Sequence, residues 1–367
     1  MPWEGILGHE RLLASLSRSV AENRLPPSLL FYGPAGVGKL TAAFALCRQV
    51  LCDGPPPGGC GTCGACRRLE AGALLHPDVA ILRPEPGKDG SPGRESDGPT
   101  AAVDLHALQD EIRGNGAWKI LVEPTRSAVS QLSLSPILGR RRILLILAAE
   151  RLGDAAGNAL LKALEEPPGE SILLLLSESY PAILPTIRSR CQPCRFGPLS
   201  RPQIERFLRD RIGLTGSDSH LLPALTGGRP GFALSLAQDL EAYRSHRDTL
   251  IRLLADVRRR RTEASCLAAA AELLSQETEV TDGLSVLMVL VRDAMLLSTG
   301  CSQALLSDPT AEPGLRELRF DAAEAAHCLA RVERAREDLR RYVNPQVALE
   351  ALFLDLAFPL ASAEAPE

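Results

Sequence analysis

Residues 28–39 have the sequence Ser28-Leu-Leu-Phe-Tyr-Gly-Pro-Ala-Gly-Val-Gly-Lys39. Its first five residues form an apolar run that suits a buried parallel strand, and the stretch from Leu40 to Leu51 predicts a helix. The segment from Gly33 to Lys39 fits G-x-x-x-x-G-K, in which backbone N–H groups face phosphate and the lysine reaches the outer phosphates. These residues therefore predict an α/β domain with a phosphate-binding loop between a strand and a helix.

The remaining chain alternates apolar runs with helical patterns as far as about residue 197. The runs are Val79–Leu82, Lys119–Val122, Ile143–Leu147 and Ile172–Leu176. This rhythm predicts an open, mostly parallel sheet. We predict an α/β domain over 1–197 with a flexible insertion at about 83–117, a small helical domain over 198–240, and a larger helical domain over 241–367.

The phosphate-binding loop lacks the residues that would hold magnesium. The candidate nucleotide-binding residues are Gly33, Gly36, Gly38, Lys39 and Thr41. Leu40 stands where a Ser or Thr hydroxyl is expected, and Thr41 is one place late, rotated by about 100° around the helix. Two interpretations stay open at this point, namely a loop that still binds ATP or ADP and a vestigial loop retained for packing.

The acidic pair that orders magnesium and polarises water is also missing. It should follow the strand that ends near Leu147, but Leu147 and Ala148 occupy those positions. The spacing places Glu150 beyond the strand, and we interpret it as a solvated surface residue. We therefore expect no hydrolysis by this chain on its own.

Four cysteines within fifteen residues form the strongest metal signal in the chain: Cys52, Cys60, Cys63 and Cys66. Four thiolates can close a tetrahedral shell with no open position, which describes structural zinc in a module over 52–66. Cys191 and Cys194 form a lone C-x-x-C, which we interpret as two ordinary buried thiols.

Composition limits the classes of function. The net charge is -4, with 41 basic and 45 acidic residues, so no global basic field favours independent binding to nucleic acid. Aromatic residues make up only 4%, which argues against base-stacking platforms. No run of 18 apolar residues occurs, so we expect no membrane span and a cytoplasmic protein.

Four segments together resemble the subunits of the bacterial replicative clamp loader, part of DNA polymerase III and of the AAA+ superfamily. They are Asn158-Ala-Leu-Leu-Lys-Ala-Leu-Glu-Glu-Pro-Pro168, Leu184-Pro-Thr-Ile-Arg-Ser-Arg-Cys191, the four-cysteine module followed by His76-Pro-Asp78, and Asn344-Pro-Gln-Val-Ala-Leu-Glu350. The first two are highly specific to clamp-loader subunits. The resemblance implies an AAA+ fold in which the helical domain over 198–240 is a lid and the one over 241–367 is a collar or oligomerisation domain. It also implies a location with the replisome at the nucleoid.

The same resemblance implies a role in trans for one arginine. In this family Arg190 would be an arginine finger for ATP on a neighbouring subunit, and Gly231 takes the place where motor subunits often have a nucleotide-sensing arginine. The implied role is a non-hydrolysing stator, an accessory subunit of the polymerase holoenzyme. Its implied partners are gamma/tau-type motor subunits, delta-type subunits, the sliding clamp and, through the complex, primed DNA.

Two other hypotheses compete with the stator. An active ATPase motor of the gamma/tau type would share the zinc module and Ser-Arg-Cys, but it needs other residues at Leu40, Leu147 and Ala148. The other hypothesis is an unrelated zinc-stabilised nucleotide-binding protein with no role in replication. It would have to explain Glu165-Glu-Pro-Pro168 and Ser189-Arg-Cys191 as coincidences.

Overall fold

The computed structural model describes residues 3, 6–52, 54, 59–69, 73–74, 76–86, 103–104, 112, 115, 118–214, 217–276, 280–302, 305–340 and 343–358. The chain divides into two compact units. The first contains residues 1–203 and 229–231, and the second contains 204–228 and 232–367. The further division of the helical part at residue 240 stays a prediction.

A parallel sheet of five strands forms the centre of the first unit. In spatial order the strands are β3 (Val79–Leu82), β5 (Ile143–Ile146), β6 (Ile172–Ser177), β1 (Ser28–Tyr32) and β7 (Gln192–Arg195). Every neighbouring pair is parallel, so all carboxyl ends lie at one edge. The predicted α/β class with a parallel sheet is confirmed.

Helices follow the strands as the sequence pattern predicts. They are α1 (Glu10–Ala21), α2 (Lys39–Leu51), α4 (Val122–Leu132), α5 (Asp154–Glu165) and α6 (Pro185–Arg188), with α3 (Gly64–Arg67) inside the cysteine module. Alternate residues of β6 belong to two different cores. Leu174 packs with α1 and α2, whereas Leu173 and Leu175 pack with α4 and α5. The sheet is therefore covered on both faces, which explains its continuous apolar strands.

Two details differ from the sequence prediction. The run Lys119–Val122 forms no strand, because Ile120 makes only an isolated bridge with Leu152 and α4 already begins at Val122. Strand β7 was not predicted, since Gln192-Pro-Cys-Arg195 is polar and contains proline; it is an edge strand in which only Cys194 is buried.

The predicted insertion at 83–117 is described only in part. Residues 87–102, 105–111, 113–114 and 116–117 lie outside the described residues. Within the described part, β4 (Val103–Asp104) pairs antiparallel with β2 (Ala73–Leu74), and Glu85 forms an antiparallel bridge with Lys119.

The Asp78 carboxylate organises the segment before β5. It accepts backbone N–H bonds from Ile137 (2.6 Å), Leu138 (2.8 Å) and Gly139 (2.7 Å), and it is almost fully buried. Burial by itself would raise the pKa of Asp78, but these three donated hydrogen bonds lower that pKa overall. The carboxylate thus replaces the water that would otherwise solvate three N–H groups.

The second unit consists of helices around a separate core. After α7 (Arg201–Ile212), which begins in the first unit, come α8 (Ser217–Thr226), α9 (Pro230–Gln238), α10 (Leu240–Arg260), α11 (Glu263–Gln276), α12 (Val280–Ser298), α13 (Glu312–Glu317), α14 (Ala322–Arg340) and α15 (Pro345–Ala357). The core is rich in leucine and is formed mainly by α10–α15. None of the helices in the described ranges combines the length and apolar character needed to cross a bilayer.

Buried charges in the second unit are paired. Arg247 on α10 donates to Asp308 (2.6 Å) and to Thr310 (2.6 Å), and the Asp293 carboxylate accepts the N–H groups of Ser307 and Asp308. Removing one partner would leave a buried charge uncompensated. The network therefore fixes the segment before α13 against α10 and α12.

We expect Asp78→Asn to lower the free energy of unfolding of the first unit by about 2–3 kcal/mol at pH 7, because a charged acceptor of three N–H groups is lost. Both tryptophans, Trp3 and Trp118, belong to this unit, so their fluorescence during denaturant titration measures its unfolding. Asp210→Asn, at an exposed carboxylate on α7, is the control.

The pH dependence follows from the lowered pKa of Asp78. Its stabilising effect is fully present above the ordinary carboxyl pKa of about 3.9 and is lost as the pH falls through the lower pKa of the folded state. Wild type and Asp78→Asn should therefore converge below about pH 4. Equal free energies of unfolding for wild type and Asp78→Asn at pH 7 would contradict the stabilising role of the Asp78 carboxylate.

Candidate functional site

The phosphate-binding loop joins β1 to α2 at the carboxyl edge of the sheet. Gly33, Gly36 and Gly38 have φ of 147°, 75° and 94°, values that residues with a side chain rarely adopt. A Cβ on Gly33 would stand 1.9 Å from the Phe196 carbonyl oxygen. The loop therefore keeps the backbone form that the motif requires, and its glycines have structural reasons to be there.

The Lys39 ammonium is bound to the loop itself. Its Nζ donates to the carbonyl oxygens of Gly33 (2.5 Å) and Pro34 (2.7 Å). The N–H of Gly231 donates to the Gly36 carbonyl (2.9 Å), and a Cβ on Gly231 would approach that oxygen to 3.1 Å. The segment around Gly231, which belongs to the same compact unit, therefore packs directly on the loop.

The structure brings four of the five candidate nucleotide-binding residues together and separates the fifth. Gly33, Gly36, Gly38 and Lys39 form the loop, whereas Thr41 is exposed on α2. The side chain of Leu40 is buried in the core between α2 and the sheet. No hydroxyl thus occupies the position directly after Lys39.

The end of β5 is apolar. Leu147 is buried in the same core as Leu40, and Ala148 packs against that core. Metal-ordering carboxylates are therefore absent at both positions. Ala148 has a φ of 48°, and the chain turns there into a short 3₁₀ helix (Ala149–Arg151).

Glu150, on this 3₁₀ helix, is not the solvated surface residue that we expected. It is half-buried, and its Oε2 is buried without a hydrogen-bond partner in the part of the chain that the structure describes. Burial raises the pKa of Glu150, and its own backbone N–H and the Lys39 ammonium oppose this rise. The sequence contained a signal for this position, because Glu150 and Ser177 follow or end neighbouring parallel strands.

The Ser189-Arg190-Cys191 motif lies between α6 and β7. Cys191 is buried in the core that α4 and α5 share, and Ser189 donates its hydroxyl to the Thr186 carbonyl (3.1 Å). Between these anchored neighbours, Arg190 is exposed. The motif therefore fixes the backbone on both sides of an accessible guanidinium.

The Arg190 guanidinium contacts the other specific motif of the sequence. Its Nε donates to Glu165 Oε1 (2.7 Å), and its Nη2 forms an ion pair with the same oxygen. Its Nη1 donates to the Thr186 carbonyl (2.9 Å) and to Ser189 Oγ (3.3 Å). Glu165, the last residue of α5, was not singled out from the sequence.

The four clustered cysteines form a candidate metal centre. The Sγ atoms of Cys52, Cys60, Cys63 and Cys66 lie within 4.8 Å of one another, with Cys60–Cys66 and Cys52–Cys63 separations of 3.9 Å. Four thiolates around a tetrahedral ion with metal–sulfur bonds of about 2.3 Å stand about 3.8 Å apart. The cluster can therefore hold one metal ion.

Backbone N–H groups already point at these sulfur atoms. Cys52 Sγ accepts from the N–H of Cys60 (3.2 Å), and Cys60 Sγ accepts from the N–H of Cys63 (3.2 Å). Hydrogen bonds from the Thr62 side chain and from the N–H groups of Thr62 and Cys63 lower the pKa of the Cys60 thiol. These donors favour the thiolate of Cys60, the form that binds a metal, whereas burial raises the pKa of Cys52 and Cys66.

The C-x-x-C pair has a different arrangement. Cys191 and Cys194 are both buried with free thiols, but they belong to cores on opposite faces of the sheet. Burial raises the pKa of Cys191 to about 12 and of Cys194 to about 11. Both are therefore inert core residues.

A family model described as "DNA polymerase III, delta subunit" matches residues 8–200. Among individual relatives, "DNA polymerase III subunit delta'" of Pseudomonas aeruginosa is 36% identical over 204 residues, covering 55% of this chain and 52% of that protein. The match thus spans about half the length of that relative.

Two further relatives extend the similarity. The Bacillus subtilis protein named "DNA polymerase III subunit delta'" is 26% identical over 351 residues, covering 94% of this chain and 95% of that protein. "DNA polymerase III subunit tau/gamma" of Haemophilus influenzae is 29% identical over 205 residues, covering 55% of this chain and 25% of that protein. Since the family model matches more than half of its residues, this chain belongs to the DNA polymerase III delta-subunit family.

Proposed function

We propose that the chain is a non-hydrolysing subunit, or stator, of the bacterial replicative clamp loader, and that it supplies Arg190 as an arginine finger to ATP bound on a neighbouring subunit. One observation carries this proposal. The accessible Arg190 sits on an anchored backbone, whereas Leu40 and Leu147 of the chain's own nucleotide site are buried in the core.

The chain's own nucleotide site lacks the side chains that ATP hydrolysis requires. Phosphoryl transfer requires magnesium held by a hydroxyl and a carboxylate, together with a polarised water. Leu40 supplies no hydroxyl, and Leu147 and Ala148 supply no carboxylate. The Lys39 ammonium donates to the carbonyls of its own loop. Gly231, which by resemblance takes the place of a sensing arginine, packs on Gly36 of that loop. These features support a role without turnover in cis.

A guanidinium supplied in trans has a clear chemical effect. It stabilises the charge that develops on the transferring phosphoryl group and is worth about 10³–10⁵ in rate, or about 4–7 kcal/mol. Arginine suits this role because it stays charged and presents several N–H donors in one plane. Arg190 would act only when a neighbouring subunit brings its nucleotide to this surface.

The names of the relatives suggest the partners. Relatives named delta' and tau/gamma support assembly with gamma/tau-type motor subunits and delta-type subunits. In the proposed cycle, ATP binding by the motors closes the assembly, which opens the sliding clamp and places it on primed DNA. Hydrolysis, promoted partly by Arg190, then releases the clamp. The chain's small net charge of -4 fits contact with DNA only as part of this complex.

The alternative function is that of an active gamma/tau-type motor. The similarity to the tau/gamma protein of H. influenzae and the intact loop from Gly33 to Lys39 favour it. Leu40, Leu147 and Ala148 oppose it, because a motor needs a hydroxyl and two carboxylates at these positions.

For the cysteine cluster we propose structural zinc. Four sulfur ligands leave no open coordination position, which is typical of structural rather than catalytic zinc. Cys52 directly follows α2 and Cys66 lies in α3, so the ion would join the end of α2 to α3. When bound, the zinc ion would stabilise the fold of residues 52–66.

We expect Arg190→Ala to leave assembly intact and to slow the DNA-stimulated ATPase of the reconstituted complex at least tenfold, because the trans cation is lost. Arg188→Ala is the matched control, since Arg188 is a neighbouring arginine that stacks on the Tyr180 ring (5.2 Å). The measurement is steady-state ATP hydrolysis with primed DNA and clamp. An unchanged rate of ATP hydrolysis in Arg190→Ala would refute the assignment of Arg190 as the arginine finger.

The purified chain alone should hydrolyse no ATP above background, because the magnesium ligands are missing. The measurement is phosphate release at saturating Mg²⁺–ATP, with Lys39→Ala as the comparison. Turnover that disappears in Lys39→Ala would establish the motor function instead.

Metal analysis of the purified chain should find one equivalent of zinc, and Cys63→Ser should lose it. Structural zinc contributes about 10–16 kcal/mol in apparent terms, so the module should unfold without the ion. Cys301→Ser, at a cysteine outside the cluster, should retain full zinc content. A folded native protein without metal, or one that holds iron, would refute the zinc site.

A further inference from the structure

The two most specific sequence motifs meet at one contact, between Glu165 and Arg190. Glu165 ends α5, and Arg190 lies two residues beyond the end of α6. Leu164 on α5, Ile187 on α6 and Cys191 are buried in a single apolar core. The two charged residues are thus attached to elements that one rigid core holds in place.

We propose that Glu165 is a positioning residue that orients the Arg190 guanidinium for the nucleotide of the neighbouring subunit. This inference rests on the proposed function, since it presupposes that Arg190 is the finger. Glu165 itself would not touch the nucleotide.

The hydrogen bonds of Arg190 explain how the orientation is fixed. A guanidinium has five N–H donors. Glu165 Oε1 takes the Nε–H and one N–H of Nη2, and the Nη1 donors go to the Thr186 carbonyl and Ser189 Oγ. Among the residues described, this leaves one Nη2 N–H without an acceptor. One edge of the guanidinium is therefore anchored, while a donor remains for a phosphate oxygen.

The strength of the Glu165–Arg190 ion pair suits orienting the guanidinium but not holding it away from a nucleotide. The side chains of Arg190 and Glu165 are 33% and 49% exposed, and an ion pair of such exposure changes an equilibrium by about fivefold at most. A finger in contact with the transferring phosphoryl group is worth about 10³–10⁵ in rate. The pair is thus too weak to hold the finger away from a phosphate.

The pair is nevertheless strong enough to matter before the nucleotide arrives. A free arginine side chain populates many rotamers, and ordering it at the moment of contact weakens the interaction. Bonds at Nε, Nη1 and Nη2 select one orientation in advance. Loss of Glu165 should therefore reduce catalysis by less than loss of Arg190 does.

The test is a double-mutant cycle in the reconstituted clamp loader, with wild type, Glu165→Ala, Arg190→Ala and the double variant. We expect Glu165→Ala to lower kcat of the DNA-stimulated ATPase about twofold to fivefold with little change in KM for ATP, because the finger acts in the transition state. In the Arg190→Ala background the Glu165 substitution should have no further effect.

Two other variants separate positioning from a structural role. Glu165→Gln retains an oxygen acceptor without the charge, so its kcat should lie between those of wild type and Glu165→Ala. Glu166→Ala changes the next residue, an exposed carboxylate, and should leave kcat unchanged.

Any other result refutes either the positioning role of Glu165 or the finger role of Arg190. A normal kcat in Glu165→Ala together with a slow Arg190→Ala refutes positioning and leaves the finger assignment standing. A kcat above wild type in Glu165→Ala, or an equal further loss in the Arg190→Ala background, also refutes positioning. A normal kcat in Arg190→Ala refutes the proposed function itself.

Discussion

Burial of the parallel sheet on both faces is the constraint on which the rest of the first unit depends. The residues Leu173, Leu174 and Leu175 of β6 are almost fully buried, and they alternate between two cores. Burying one such side chain stabilises the fold by about 1.5–3 kcal/mol, so both faces must be covered by helices. Because crossover helices connect the strands, the strands run parallel and their carboxyl ends meet at one edge. That edge brings together the phosphate-binding loop, Glu150 and Ser177.

The same scaffold supports two places with different chemistry. At the carboxyl edge the loop geometry is retained, but apolar side chains occupy the positions for the hydroxyl and the acidic pair. Around the end of α6, the core that contains Cys191 holds the backbone of Arg190 and the helix that ends at Glu165. The proposed stator role rests on this combination: the chain's own loop lacks the groups that hold magnesium, whereas the backbone of Arg190 is fixed by a buried core.

Much of the fold could be predicted because its signals are local. The strand Ser28–Tyr32, the glycine loop and the helix after it were confirmed, as was an α/β domain with a parallel sheet followed by helices. Strand β7 escaped prediction because an edge strand needs no apolar face, and Gln192-Pro-Cys-Arg195 resembles a loop. The strand predicted at Lys119–Val122 was wrong. Ile120 is buried, but it forms only one isolated β-bridge and no strand.

The candidate site was less predictable, because its contacts join distant parts of the chain. The cysteine cluster is local in sequence, and the structure places its sulfur atoms as the spacing predicts. Glu150 was assigned to solvent because its burial depends on a turn at Ala148 and on the neighbouring strand that ends at Ser177. The contact of Glu165 with Arg190 spans 25 residues and depends on the packing of α5 beside α6.

We propose that this chain contributes Arg190, and not its own phosphate-binding loop, to ATP hydrolysis by the complex. The most direct measurement is a side-by-side comparison of DNA-stimulated ATP hydrolysis by two complexes, which differ only in carrying Lys39→Ala or Arg190→Ala in this chain. We expect the complex with Lys39→Ala to retain the wild-type rate and the complex with Arg190→Ala to be slower by at least tenfold. A large loss with Lys39→Ala and a wild-type rate with Arg190→Ala would contradict it.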